Sequence, residues 1–188
     1  MSCIKRYDQT SYGCLFCRTG YEKQIFLELE RLYPEIRFLV PEKLLRVRIG
    51  GELHEKRKTL FPGYIFFQAD CLFPAHQFVK THGVFTLLAD AKGIWQLSPS
   101  DEALVKRFYV SDGVIGLSKA YFEGNYIKPT NGILKDLEGY IIRVNRRKSK
   151  AQVRFQLGDK YVLTWLGFEE IEENTASSKK IEQICKLP

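Results

Sequence analysis

The chain has 188 residues, a net charge of +7 and a hydrophobic share of 45%. That length leaves room for one large domain or two small ones; the apolar share is ordinary for a globular protein and argues against disorder, and no apolar run approaches the ~20 residues of a membrane helix. The positive excess suggests a polyanionic partner, and it is unevenly placed: Arg143 to Lys160 holds seven basic residues (Arg143, Arg146, Arg147, Lys148, Lys150, Arg154, Lys160) against one acid, Asp159, while Glu169 to Glu173 is acidic.

The opening MSCIKRYDQT has charges with no apolar stretch behind them, unlike a secretory signal, so the cytoplasm is the expected compartment. YGCLFCR (12–18) reads as a buried strand. Thr19-Gly20-Tyr21-Glu22 fits a capping box, and the helix after it sets Ile25, Leu29 and Leu32 on one face, widened by Phe26 and Tyr33, with Pro34 ending it. LLRVRI (44–49) alternates, Gly50-Gly51 signals a hairpin turn, and 52–59 returns as a polar strand. GYIFFQA (63–69) is an apolar run of strand length. Residues 74–82 read as a short helix and VFTLL (84–88) as a strand. Ser98-Pro99 with Asp101 and Glu102 starts a helix that carries Leu104, Val105 and Phe108 and ends near Tyr109. SDGVIGLSKA (111–120) breaks the periodicity and reads as a linker. Beyond it, NYIK, GYIIRV, AQVRFQ and YVLTWL are short strands separated by turns, the pattern of a small antiparallel barrel. Residues 175–188 read as a polar tail.

The five cysteines, an odd number, read as reduced cytosolic thiols. Cys14 and Cys17 form a CxxC, but zinc would need a second ligand pair and a redox site would start a helix. On a strand the two side chains point to opposite faces. No metal and no cofactor are expected.

Two segments carry a resemblance. KRKTLFPGYIFF (56–67), with CRTGYEKQ upstream and HGVFTLL downstream, resembles the amino-terminal (NGN) domain of NusG-type transcription elongation factors. EGNYIKPTNGILKDLEGYIIRVNRRKSKAQVRF (123–155) is similar to the KOW motif, with Gly139 at its glycine. The resemblance implies an α+β protein in which an NGN-type antiparallel sheet flanked by helices (1–110) is followed by a linker (111–121), a small SH3-like KOW barrel (122–174) and a tail (175–188). It implies docking on the clamp helices of bacterial RNA polymerase through Phe61, Tyr64 and Phe66. Alternation along that strand turns Ile65 and Phe67 to one face and Tyr64 and Phe66 to the other.

In the barrel, GYIIRV and AQVRFQ form a hairpin with NRRKSK at its tip. Val153 and Phe155 face inward and Gln152, Arg154 and Gln156 outward, with Arg143 outward if Ile142 and Val144 are core. Arg143, Arg146, Arg147, Lys148, Lys150 and Arg154 then form a basic ridge suited to RNA phosphates, through counterion release. Where general NusG proteins have a bulky aromatic followed by glycine, the site for the ribosome or Rho, this chain has Leu157-Gly158-Asp159. The longer loops and basic tip resemble the operon-specialised LoaP-type antiterminators, which read an RNA hairpin. The expected function is antitermination by a monomer that binds polymerase and a leader hairpin of nascent RNA. The alternatives are a general pausing and termination factor and, more remotely, a KOW-containing ribosomal protein. His54, His76 and His82 are scattered and there is no GxxxxGK or GxGxxG loop, so the chain does not read as an enzyme.

Overall fold

A computed structural model of the chain describes residues 10–90, 92–157 and 160–172. The expected tail, 175–188, and the turn at Gly158-Asp159 lie outside these residues. β1 (Thr10–Cys17) is buried along most of its length, and its alternating residues serve two layers. The capping box before α1 (Glu22–Leu32) forms only in part. Tyr21 rather than Thr19 is the capping residue, and it makes no side-chain cap bond. Glu22 does reach back: its buried carboxylate accepts the Gly20 N–H at 2.9 and 3.0 Å and also the Gly63 N–H at 2.7 Å. A carboxylate withdrawn from water needs such donors. Ile25 and Leu29 are buried as expected, but Leu32 is exposed, and Tyr33 instead packs edge-on against Phe78 at 4.8 Å.

β2 (Arg37–Leu39) is followed by the expected hairpin, β3 (Glu42–Ile49) and β4 (Glu52–Thr59), turning at Gly50-Gly51. β5 (Tyr64–Asp70) is the FPGY strand. The short helix expected at 74–82 is a 3-10 helix, Ala75–Lys80. β6 (Val84–Leu87) and α2 (Pro99–Val110) complete this part, with Ser98 accepting from the Asp101 N–H as the α2 cap.

The four-stranded sheet has the order β2-β5-β1-β6, with antiparallel pairing throughout. One face meets α1 and the 3-10 helix over a core of Leu15, Ile25, Leu29, Phe38, Phe67, Phe78 and Trp95. The opposite face lies under α2, where Phe108 approaches Phe61 at 5.8 Å and Phe66 at 6.2 Å, and Tyr109 meets Tyr12 at 5.3 Å.

The segment expected as a linker is structured. It holds β7 (Val114–Ile115) and the first part of β8 (Ser118–Glu123). Then come β9 (Tyr126–Pro129), a short helix α3 (Ile133–Asp136) where only strand was expected, β10 (Ile141–Asn145), β11 (Lys150–Leu157) and β12 (Lys160–Glu170). Leu134 gives α3 its buried anchor, and the Leu134 N–H donates to Ser118 Oγ at 3.1 Å. Gly139 lies in a 3-10 turn where an added Cβ would meet nothing within 4 Å, so local packing does not explain a glycine there. The sheet order is β10-β11-β12-β8-β9. It is mixed rather than purely antiparallel, because β8 runs parallel to β12.

The chain divides into two compact units. Among the described residues, one gathers those up to Pro41 with Thr59–Gly113 and those within Gln156–Lys160; the other gathers Glu42–Lys58, Val114–Phe155 and those from Tyr161 on. The β3–β4 hairpin, which sequence order places in the first domain, therefore packs in the second unit. β3 pairs in parallel with β7, Arg46 meets Glu169 at 3.3 Å, and Lys43 Nζ donates to Thr164 Oγ1. Gly167 permits the approach, since a Cβ there would lie 2.7 Å from the Leu44 carbonyl oxygen and would press closer still on Leu117 Cδ2.

Candidate functional site

In the second unit the β10–β11 hairpin holds the basic ridge. Asn145 begins its tip by accepting the Lys148 N–H at 3.0 Å, Arg146–Lys148 forms a 3-10 turn, and Ser149 closes it in the left-handed region at φ 46°. Register places Ile141 opposite Val153, Arg143 opposite Gln152 and Val144 opposite Ala151, with an irregularity between Ile141 and Arg143. Val153 and Phe155 are buried, as alternation requires, and Arg143 and Arg154 are exposed. Ile142, expected in the core, is 50% exposed because the register shift falls on it.

The ridge is less uniform than its sequence. Arg146 makes a two-pronged contact with Glu170 (Nε to Oε2 at 3.0 Å, Nη2 to Oε1), and its guanidinium lies 4.3 Å over Phe122. Its charge is matched internally, and the Glu170 hydrogen bond raises its pKa further. Arg147 and Lys148 are exposed at the tip. Lys150 Nζ sits 4.5 Å over the Trp165 ring, and Arg154 Cζ 5.1 Å over the Tyr161 ring. Burial, then Lys148 and Lys58, lower the Lys150 pKa. Lys43 is pulled from 10.5 to about 8, first by burial and then by Lys58 and Lys150. Lys43, on β3, and Lys150, on β11, thus each feel the positive charge of Lys58, on β4.

In the first unit the three residues expected to face polymerase are not a surface. Phe61 and Phe66 are fully buried beneath Phe108 of α2, and Tyr64 is 9% exposed. α2 covers only part of that sheet face, however. Beyond it Phe85 is 58% exposed, with Phe16 5.9 Å from Phe85 and 5.4 Å from Tyr64. The accessible aromatic patch is therefore Phe85 and Phe16 with the edge of Tyr64. The FPGY turn underneath is tightly specified. Gly63 has φ +85°, and a Cβ there would meet Thr19 Oγ1 at 3.0 Å and Phe16 Cε2 at 3.1 Å. Its N–H goes to Glu22 and its carbonyl accepts the Cys17 N–H at 2.8 Å.

Cys14 and Cys17 are buried, unbridged thiols. Burial first, then Cys17, raises the Cys14 pKa well above its ordinary value, and burial with Glu22 raises Cys17 to about 11. Such thiols are poor nucleophiles and poor metal ligands at neutral pH.

No family model matches the chain. In sequence it is 25% identical over 146 residues to the transcription termination/antitermination protein NusG of Thermus thermophilus, covering 71% of this chain and 78% of that protein. In fold it is similar to Thermotoga maritima NusG, in a structure concerned with domain interaction in that protein, with TM-score 0.52, 14% identity, and 84% of this chain and 93% of the other covered. Sequence and fold together support the NusG family. The mixed α+β architecture is the one a NusG resemblance implies. Three features went unread in the sequence: Phe85 as an exposed ring of the first unit, and Tyr161 and Trp165 beneath cations of the second. Tyr161-x-Leu163-x-Trp165 does alternate, but so do the apolar residues between them, so alternation alone could not choose the outer set.

Proposed function

We propose that this chain is a NusG-like transcription elongation factor, a binding protein rather than an enzyme, acting in the cytoplasm as a monomer. The observation that carries this reading is the similarity to NusG in both sequence and fold across most of the chain. The first unit docks on the clamp helices of RNA polymerase. The Phe16–Tyr64–Phe85 patch supports that role, since exposed aromatic clusters with a polar handle suit interface hot spots, and Phe61 and Phe66 act from below by seating α2. The second unit, KOW-type, holds nascent RNA through Arg143, Arg147, Lys148, Lys150 and Arg154, with Arg146 bound to Glu170. In the finer reading the factor is a LoaP-type antiterminator that recognises a leader RNA hairpin and promotes processive transcription of one operon.

The test is in vitro transcription across an intrinsic terminator, with and without the operon's own leader RNA, using wild type and Phe85→Ala. Read-through that needs both the leader and Phe85 supports the proposal. The Thermus relative's name joins termination with antitermination, which favours a general factor as the second reading. Effects independent of the leader would select it.

A further inference from the structure

We propose that the outer face of β10, β11 and β12 is a stacking platform for unpaired RNA bases, with Tyr161 and Trp165 as its rings and Lys150 and Arg154 as its cations. The proposal rests on the RNA-binding reading above and specifies what this face holds as unpaired bases, such as those in the loop or flanks of a leader hairpin, rather than the paired stem.

The face follows from register and alternation. Lys150, Gln152 and Arg154 share one side of β11, and Tyr161, Leu163 and Trp165 share one side of β12. The cation–ring pairs, Arg154 with Tyr161 and Lys150 with Trp165, confirm that these two sides are the same face. Arg143 joins it from β10, directly opposite Gln152. The other side holds Ala151, Val153, Phe155, Thr164 and Leu166, all buried. A sheet with one solvated face ordinarily shows water a polar surface. Here the solvated face keeps Tyr161 62% and Leu163 53% exposed, so β12 is apolar on both sides.

Cations alone would suit any phosphate backbone, paired or not. Rings interleaved with cations suit unpaired strands, whose bases have free faces to stack on aromatic or guanidinium planes, whereas a duplex hides those faces. Lys150 to Arg154 spans four strand steps of about 3.3 Å, or about 13 Å, room for a short run of nucleotides. At the Lys150 end, Lys148 and Lys58 raise the local positive charge, which suits a phosphate following the stacked bases. Trp165 is only half-buried, so its indole can report binding.

The experiment titrates the full chain with an oligouridylate and with a perfectly paired, blunt RNA duplex of equal strand length, at several salt concentrations, following tryptophan emission. Tighter binding of the oligouridylate is expected, with quenching that Trp165→Phe abolishes. Tyr161→Ala, at an exposed position, should weaken oligouridylate binding by about five-fold or more without changing the salt slope. Arg147→Ala with Lys148→Ala should instead flatten the slope by up to about 0.7 for each phosphate no longer neutralised. If the tip variant flattens the slope while Tyr161→Ala and Trp165→Phe bind both RNAs as wild type does, the platform is overturned and the RNA-binding reading stands. If neither RNA binds, both fail. If an acidic peptide binds through these rings and the oligouridylate does not, the face belongs to a protein partner and the platform is overturned.

Discussion

The two units differ in the balance of their aromatic contacts: cations lie over Tyr12, Tyr21 and Tyr109 in the first unit too, but its core is built of ring-on-ring contacts. In the first, rings meet rings inside: Phe67 lies 5.0 Å from Phe78 and 5.1 Å from Trp95, and Phe38 lies 5.2 Å from Phe78. In the second, rings meet cations on the outside: Phe122 under Arg146, Trp165 under Lys150, Tyr161 under Arg154. Edge-to-face stacking in a dry core adds to stability beyond the area buried. An exposed cation over a ring adds little and leaves both groups reachable. The difference separates residues that hold a fold from residues that are available to a partner.

The strongest test of that contrast is Phe67→Ala. It should cost about 3–5 kcal/mol, as large aromatic truncations in cores do, and chemical denaturation will read it directly. A loss as small as that of a surface change would break the comparison. Next in size is Gly167→Ala, which forces a methyl against the Leu44 carbonyl and Leu117. A cost of about 1–3 kcal/mol is expected, with β3–β4 amides exchanging faster and the first-unit core unaffected by hydrogen exchange.

Lys43→Met is subtler because its effect depends on pH. The folded-state pKa of Lys43, about 8, lies below its ordinary 10.5, so between those values the unfolded chain binds the extra proton. Stability must then rise with pH across that interval. Wild type should gain on the methionine variant from about pH 8 to 10.5 and show no such gain below, read from melting temperatures of both proteins. Parallel curves would mean that Lys43 is not held out of water. Smallest is Tyr161→Ala, expected to change stability by no more than about 0.5 kcal/mol while altering RNA binding.

Much of the first unit was legible in the amino-acid sequence. The β1 run, the Ile25–Leu29 stripe and the Ser98-Pro99 start each follow from local chemistry, and each forms, as does the Gly50-Gly51 turn of the second unit. What stayed hidden was tertiary. Phe61 and Phe66 were expected at the polymerase on the strength of the resemblance, and nothing in FPGYIFF announces that Phe108, some 40 residues on, will lie over them. Glu22 looked like half of a capping box, yet its second donor comes from Gly63, far along the chain. The basic run at Arg143–Lys160 was plain as charge, but Glu170 quietens Arg146 from a different strand, and the Ile142 register shift has no local signature. SDGVIGLSKA read as a linker because two-residue strands such as Val114–Ile115 leave no periodicity.

The β3–β4 hairpin raises a question of timing. Residues 42–58 leave the ribosome well before β7 and β12, the strands they join in the second unit. At about 5–20 residues per second, the hairpin waits several seconds with its polar β4 strand exposed and β3 unpaired on one side. An edge that waits is an invitation to aggregation. The run Lys56-Arg57-Lys58 on β4 then acts during synthesis as a gatekeeper, since a charged strand is a poor template for a stray neighbour. A nascent chain halted before Val114 should therefore stay dispersed, and one carrying neutral residues at 56–58 should be captured by holdase chaperones.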